Sequence, residues 1–383
     1  MHITRRRALV PAFTAAGALL AVLTAAQSPS FTTITGEFGP GALYEIVMPT
    51  AAWNGELVVF AQGIGNPSAP IALPTLGPLR DTLISQGFAL VYTSRSVHGY
   101  GAVKDGMQRT HQLRGIFTET IGQPGRVYLI GRSLGGLISV MLAERFPEQY
   151  DGVVSGCGLL GGGSEELKYV ADGRMLFDYF FPGVIPGTPF DVPPGVDFSP
   201  GSPTYNDVYD ALVQGLSSPD QPTLQFARTA NLQAMNAGEI VTAGLTVVGF
   251  TVVHGNNLMD LTNSHMPYDN HDTWYEGSED DDALNAGVAR FVSDPSAVNY
   301  FDHYYTPSGE LHIPVLTLHK MRDPLVPIFH ETKYADTVDS AGALDFLLQR
   351  TVDGFGHCGF PAAEAAAFSA LVQWVQTGVK PLN

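Results

Sequence analysis

The stretch "VYLIGRSLGGLISVMLAERFP", Val127 to Pro147, decides how this chain is read. A short apolar run leads into Gly131-Arg132-Ser133-Leu134-Gly135. A segment with a regular apolar face follows, until Pro147 stops it. A G-x-S-x-G pattern alone is common. Between a buried strand and a helix it describes a serine held on a tight strand-to-helix turn. Glycines on either side let neighbouring backbone approach, and the helix that starts after Ser133 points its positive end at the hydroxyl. Ser133 is therefore the candidate nucleophile; the plain alternative is a structural serine.

Outward from this turn, strand and helix patterns alternate. The segment Phe31–Trp53 is strand-like with a turn at Gly39–Gly41. "ELVVFAQG" (Glu56–Gly63), "FALVYTS" (Phe88–Ser94), "RVYLI" (Arg126–Ile130) and "DGVVSGCG" (Asp151–Gly158) read as buried strands. Helices are expected near 75–86, 102–121 and 135–146. The alternation predicts an α/β fold with a mostly parallel sheet and helices on both faces. It breaks over 159–300, a Gly/Pro-punctuated and mainly helical stretch that includes "EELKYVADGRMLFDYFF". Its many aromatics favour a packed cap over a disordered insert. Sheet patterns resume at "IPVLTLH" and "DFLLQRTV", each followed by a helix. The expected organisation is a core of 27–158 and 301–383 with a large cap, 159–300, inserted before the penultimate strand.

A serine hydroxyl needs a base at neutral pH. On a strand-turn-helix nucleophile, an acid and then a histidine follow in chain order, each after a strand. The last strand leads into "RTVDGFGHCGF", where His357 stands in a Gly-rich loop. The competing histidines, 254, 265, 271, 303, 312, 319 and 330, mostly fall in the cap or inside elements, and His98 is out of order. Asp323 follows the penultimate strand in "PVLTLHKMRDPLVP"; Asp353, four residues before His357, is its rival. The acid would hold the imidazole tautomer and stabilise the imidazolium. Backbone N–H groups for an oxyanion are expected from Leu134 and, in "VVFAQGIGNPS", from Ile64, with Gly63 allowing close approach.

With Gly131-Arg132-Ser133-Leu134-Gly135, Asp323 and His357 in this order, the chain resembles the α/β-hydrolase superfamily over nearly all of its length after the N-terminal segment. The resemblance implies a cap after the strand that follows the nucleophile helix, and a hydrolase needing no cofactor. The superfamily hosts many chemistries, so the fold alone does not give the substrate. A serine nucleophile argues against the epoxide and dehalogenase branches, which are typically built on aspartate. The pair His357-Cys358 also resembles secreted tannases and feruloyl esterases, where a cysteine beside the nucleophile is bridged to one beside the histidine. Here Arg132 precedes Ser133, so the departure from that group is plain; the available partner is Cys157.

Composition bounds the rest. The formal net charge is −17, and removing Arg5, Arg6 and Arg7 with a leader makes the remainder more acidic. Phosphate binding needs clustered Lys and Arg, so nucleic acid is not expected as a partner. Three arginines, an apolar run and small residues ending near Ala26 predict a signal peptide over 1–26, by a general or a twin-arginine export route. Localisation would then be secreted or periplasmic. No later run reads as long enough to span a bilayer; "AGLTVVGFTVV", Ala243 to Val253, reads as a buried element. In an exported chain the two cysteines, Cys157 and Cys358, can form one intrachain bridge, the alternative being two buried thiols.

"GHCG" alone falls short of a metal site. "GSEDDDALNAG", Gly277 to Gly287, lacks the spacing of a calcium loop and reads as helix capping. The expected activity is hydrolysis of carboxylic esters, small or polymeric. Cap aromatics (Phe177, Tyr179, Phe180, Phe181, Trp274, Tyr275, Tyr300, Phe301, Tyr304, Tyr305) incline the reading toward apolar or aryl acyl groups, although most should be cap core. A peptidase or amidase, and a non-catalytic binding protein on the same fold, are the competing readings.

Overall fold

The computed structural model describes residues 30–382. The leader expected over 1–26 lies outside them. Eight strands form one sheet: β1 (Phe31–Phe38), β2 (Ala42–Pro49), β3 (Glu56–Ala61), β4 (Ala89–Arg95), β5 (Arg126–Arg132), β6 (Gly152–Gly156), β7 (Val315–Arg322) and β8 (Leu347–Phe355). Their order is β1-β2-β4-β3-β5-β6-β7-β8. β2 runs antiparallel to both of its neighbours, and every pair from β4 to β8 is parallel. β3 and β4 are buried at every residue, which explains why they read as continuous apolar runs rather than alternating ones.

Helices α1 (Pro78–Ser85), α2 (Ala102–Thr120), α3 (Leu134–Arg145), α10 (Phe329–Ser340) and α11 (Pro361–Thr377) flank the sheet. α1 and α11 cover one face, where Leu83, Phe368, Leu371 and Trp374 pack on Val58, Ile130, Val154 and Leu316. α2 and α3 cover the other, where Leu113, Phe117, Leu137 and Val140 pack on Leu57, Val59, Leu129 and Val153. Burial of such side chains at about 25 cal/mol per Å² is the main force holding the layers together.

Between β6 and β7 the chain forms α4 (Gly163–Phe180), α5 (Pro203–Ser217), α6 (Pro222–Thr229), α7 (Ala237–Leu261), α8 (Asp281–Gly287) and α9 (Pro295–Tyr305). Phe177, Phe226, Phe301 and Tyr305 are all but fully buried, so this segment has a packed interior. The boundary expected at 300 falls inside α9. The short element expected at 243–253 belongs to α7, whose 25 residues make it long and apolar enough to cross a membrane, although 56% of its most apolar window is buried within the molecule. The acidic run at 277–287 acts as caps: Asp280 accepts from the Ala283 N–H at 2.9 Å, and Asp281 from the Ser278 N–H at 2.9 Å.

Candidate active site

β5 delivers Ser133 to the carboxyl edge of the sheet. Its φ of 56° and ψ of −127° are a strained conformation for a residue with a side chain, and they lift the hydroxyl out of the strand. Glycine is needed on both sides. A Cβ on Gly131 would collide with the Gly135 carbonyl, and one on Gly135 with the Ala61 carbonyl. The Ser133 N–H donates to Gly156 O at 2.8 Å, tying the turn to the end of β6.

β7 delivers Asp323, which is fully buried. Its Oδ1 accepts from the N–H groups of Leu325 (2.9 Å) and Val326 (3.0 Å), leaving Oδ2 for His357 Nδ1 at 2.7 Å. That contact assigns the imidazole proton to Nδ1 and turns Nε2 away from the aspartate, where it is buried with no partner. No hydrogen bond joins Nε2 to Ser133 Oγ in this structure. Asp353, the rival acid, is exposed and pairs with Arg322 at 3.1 Å.

A further histidine stands behind the acid. His319 Nε2 lies 3.7 Å from Asp323 Oδ2 and 2.7 Å from the Val326 carbonyl, and its Nδ1 lies 3.1 Å from Glu331 Oε1. Burial is the largest influence on this ring and opposes charge, but the hydrogen bond and charge of Glu331, the charge of Asp323 and the Val326 carbonyl together outweigh it, and its pKa is raised. Acceptors face both nitrogens, so a protonated His319 would be fully hydrogen-bonded beside Asp323.

Gly63 comes close to the elbow: a Cβ there would sit 3.3 Å from Ser133 Cβ. Ile64, Ser133 and Leu134 line one small cavity. Leu134 is the first residue of α3, so no intrahelical carbonyl takes its N–H. The orientation of Ile64 has a cause that the sequence hid. Buried Arg95 donates from its guanidinium to Gly63 O at 2.7 Å. Gly63 O and Ile64 N–H belong to one planar trans peptide and point in opposite directions, so holding the carbonyl back fixes the N–H forward. Burial lowers the Arg95 pKa to about 10, partly offset by Asp105, which still leaves it charged at neutral pH.

Cys157 and Cys358 are bridged, with Cα atoms 5.4 Å apart. Their sulfurs lie near the His357 ring, but being joined to each other they are not available as thiolate ligands. Glu166, at the start of α4, lines the same cavity as Ser133 and was not marked by its sequence neighbours. Its signal lay in the periodicity: Glu166, Val170, Gly173 and Phe177 form one buried stripe. Of the cap aromatics, Tyr305 lines the cavity; Phe177 and Phe301 are core, and Trp274 is 60% exposed.

The sheet order, with a single antiparallel strand between β1 and β4, and a serine on the β5–α3 turn make this an α/β-hydrolase fold. No family model matches the sequence. An o-phthalyl amidase from Xanthobacter agilis is 33% identical over 85 residues, which is 21% of this chain and 19% of the amidase, so the chain matches about a fifth of that relative's length. Among solved structures, the acylaminoacyl peptidase of Pyrococcus horikoshii is 9% identical with a TM-score of 0.48, covering 94% of this chain and 43% of that one. Feruloyl esterase B from Aspergillus oryzae is 17% identical with a TM-score of 0.48, covering 94% and 85%. An esterase of Pyrococcus furiosus is 10% identical with a TM-score of 0.46, covering 92% and 93%.

Proposed function

We propose that this chain is an exported serine hydrolase that cleaves carboxylic esters through an acyl-enzyme on Ser133. The observation that carries the proposal is the 2.7 Å contact of His357 Nδ1 with Asp323 Oδ2, which leaves a bare, buried Nε2. In the proposed mechanism Ser133 Oγ attacks the ester carbonyl as Nε2 takes its proton. Asp323, backed by His319, stabilises the imidazolium without taking the proton itself. The N–H groups of Leu134 and Ile64 hold the developing oxyanion. His357 then protonates the leaving alcohol, and water, with its proton taken by Nε2, releases the acid from Ser133. The longer Ser–His separation suits an unliganded site, where catalytic hydrogen bonds are often not yet made. The cap, 159–300 with α9 completing it, would roof the site. The bridge Cys157–Cys358 supports a location outside the cytosol.

A fluorophosphonate probe tests the reading. It should label the purified mature chain and fail to label Ser133→Ala; absence of labelling on folded wild-type protein would overturn the assignment. The local identity with an o-phthalyl amidase favours amide cleavage as the second reading. Rates on matched p-nitrophenyl esters and p-nitroanilides separate the two.

A further inference from the structure

The cavity beside Ser133 is about 30 Å³, room for one or two water molecules, and His357 is not among its lining residues. A leaving-group oxygen must come within reach of His357 Nε2 to be protonated. The cavity therefore lies on the acyl side of the carbonyl. An acyl group of more than a few atoms has to pass beyond it. The wall that α7 contributes to this cavity is Phe250.

The same Phe250 lines a second and much larger space. Between α5 and α7 runs an open trough of about 780 Å³, within the ~300–1,000 Å³ usual for ligand pockets. Tyr205, Tyr209 and Leu216 of α5 form one side, and Val241, Leu245 and Val253 of α7 the other. Its α7 residues run from Ala237 to His254 on one helix face, so the trough follows the helix for about 25 Å. Among the described residues no Asp, Glu, Lys or Arg lines it. His254 does line it, but burial lowers that ring's pKa to about 4, so it is neutral at pH 7. Such walls favour an uncharged, apolar occupant, because each methylene gains by leaving water and a charge would find no partner.

Phe250 is half-buried, stacks on His254 with centroids 4.5 Å apart and meets Tyr100 edge-on at 6.1 Å. Tyr100 lines the small cavity and His254 the trough, so this aromatic group stands between the two spaces. Helix α7 is tied to the core near both ends: Glu239 pairs with Arg322 at 3.4 Å, and Asn257 Oδ1 accepts from the Tyr100 N–H at 2.8 Å. With the helix held, rotation of the Phe250 side chain is the smallest movement that joins trough and cavity. We propose that the trough between α5 and α7 holds the far end of an uncharged, apolar acyl chain whose carbonyl is at Ser133, and that Phe250 sets how much of the chain reaches it. The inference rests on Ser133 being the acylated residue. Sharing a wall with the Ser133 cavity is what selects a substrate chain, over a second copy of the protein or a lipid surface, as the occupant.

The test uses p-nitrophenyl acetate, butanoate and octanoate, with the octanoate kept below the concentration at which it forms micelles. Each kcat/KM is divided by the rate with hydroxide, to remove intrinsic reactivity. Wild-type protein should favour octanoate over acetate by about 10-fold or more, well inside the ceiling of about 4-fold for each buried methylene. Phe250→Ala removes the wall between the two spaces and should raise that ratio by about 3-fold or more. Tyr209 is 45% exposed, so Tyr209→Asp can fold while placing a charge among the apolar walls. It should lower the ratio by about 3-fold or more. A wild-type ratio near one, a ratio that does not rise in Phe250→Ala, or one that Tyr209→Asp leaves unchanged would overturn the proposal while leaving the esterase reading intact. A dimer, or binding to phosphatidylcholine vesicles, that Tyr209→Asp abolishes with the ratio unchanged would give the trough to that occupant and overturn it too. Failure to hydrolyse any ester, with no fluorophosphonate labelling, would overturn both proposals.

Discussion

Arg132 grips Glu364 with two nitrogens: Nε donates to Oε1 at 2.7 Å and the terminal amine donates to Oε2. One residue ends the strand that carries Ser133, and the other lies in the first turn of the helix that follows His357. The pair therefore fixes the spacing between the two sides of the site. Arg132 directly precedes Ser133, so the pair ties the nucleophile turn non-covalently to the helix after His357. Glu364 is 1% exposed and Arg132 28% exposed, which makes the pair asymmetric. Arg132→Met strands a buried carboxylate and should cost about 3–5 kcal/mol. Glu364→Gln leaves an arginine that can reach water and should cost less, on the order of 1 kcal/mol. Urea unfolding measures both; equal costs would contradict the asymmetry.

The Cys157–Cys358 bridge makes the second tie, joining the end of β6 to the residue after His357 across a separation of 201 residues. Reduction, or replacement of both cysteines by alanine, should lower unfolding free energy by about 2–5 kcal/mol. It should also slow labelling of Ser133 by a fluorophosphonate at temperatures where the fold survives, because the base sits beside the freed residue. Unchanged labelling with lowered stability would assign the bridge to stability alone.

The core and the meeting of Asp323 with His357 were legible because their signals are local. A fully buried strand such as β3 announces itself in six residues, and the Asp323 and His357 loops follow strands whose apolar starts, Val315–Leu318 and Leu347–Leu348, are buried in the same way. The residues that shape the site were hidden for the opposite reason. Arg132 and Glu364 are 232 positions apart, and neither has a neighbour that hints at the other. Arg95 ends an apolar strand and looks like an ordinary exit to solvent, yet it turns inward to two carbonyls. Glu166 has the acidic Glu165 beside it, and nothing in its immediate neighbours sets apart the one that is buried. The length of α7 was missed because Gly244, Gly249 and Gly255 interrupt its pattern, whereas in the fold they are close-packing points: a Cβ at Gly244 would lie 2.9 Å from Leu212.

If Ile64 is the second oxyanion donor, Arg95, which holds the Gly63 carbonyl, is expected to act through that peptide rather than on the substrate. Arg95→Met removes the hold on the Gly63 carbonyl and should lower kcat by about 100-fold, the scale of one lost oxyanion donor, with a smaller change in KM. Arg95→Lys, which can still reach one carbonyl, should recover part of the loss. Equal losses in kcat and thermal stability for both variants would reduce Arg95 to a structural residue.

His254 gives the molecule a defined response to acid. It stacks on Phe250 with centroids 4.5 Å apart, is 6% exposed, and has a buried Nδ1 without a partner. Burial lowers its pKa from 6.5 to about 4. The unfolded chain therefore binds more protons than the folded one between these values, and stability falls as pH drops through that window. The contribution is fully present above pH 6.5, and on the order of 2–3 kcal/mol is lost by pH 4.5. His330, lowered to about 3, slopes the same way, so the His254 share must be read as a difference. His254→Phe keeps an aromatic ring against Phe250 and removes the titration. Urea unfolding at pH 7 and pH 4.5 should show a smaller acid loss in the variant than in the wild type; parallel losses would mean that His254 is already solvated or protonated in the folded state.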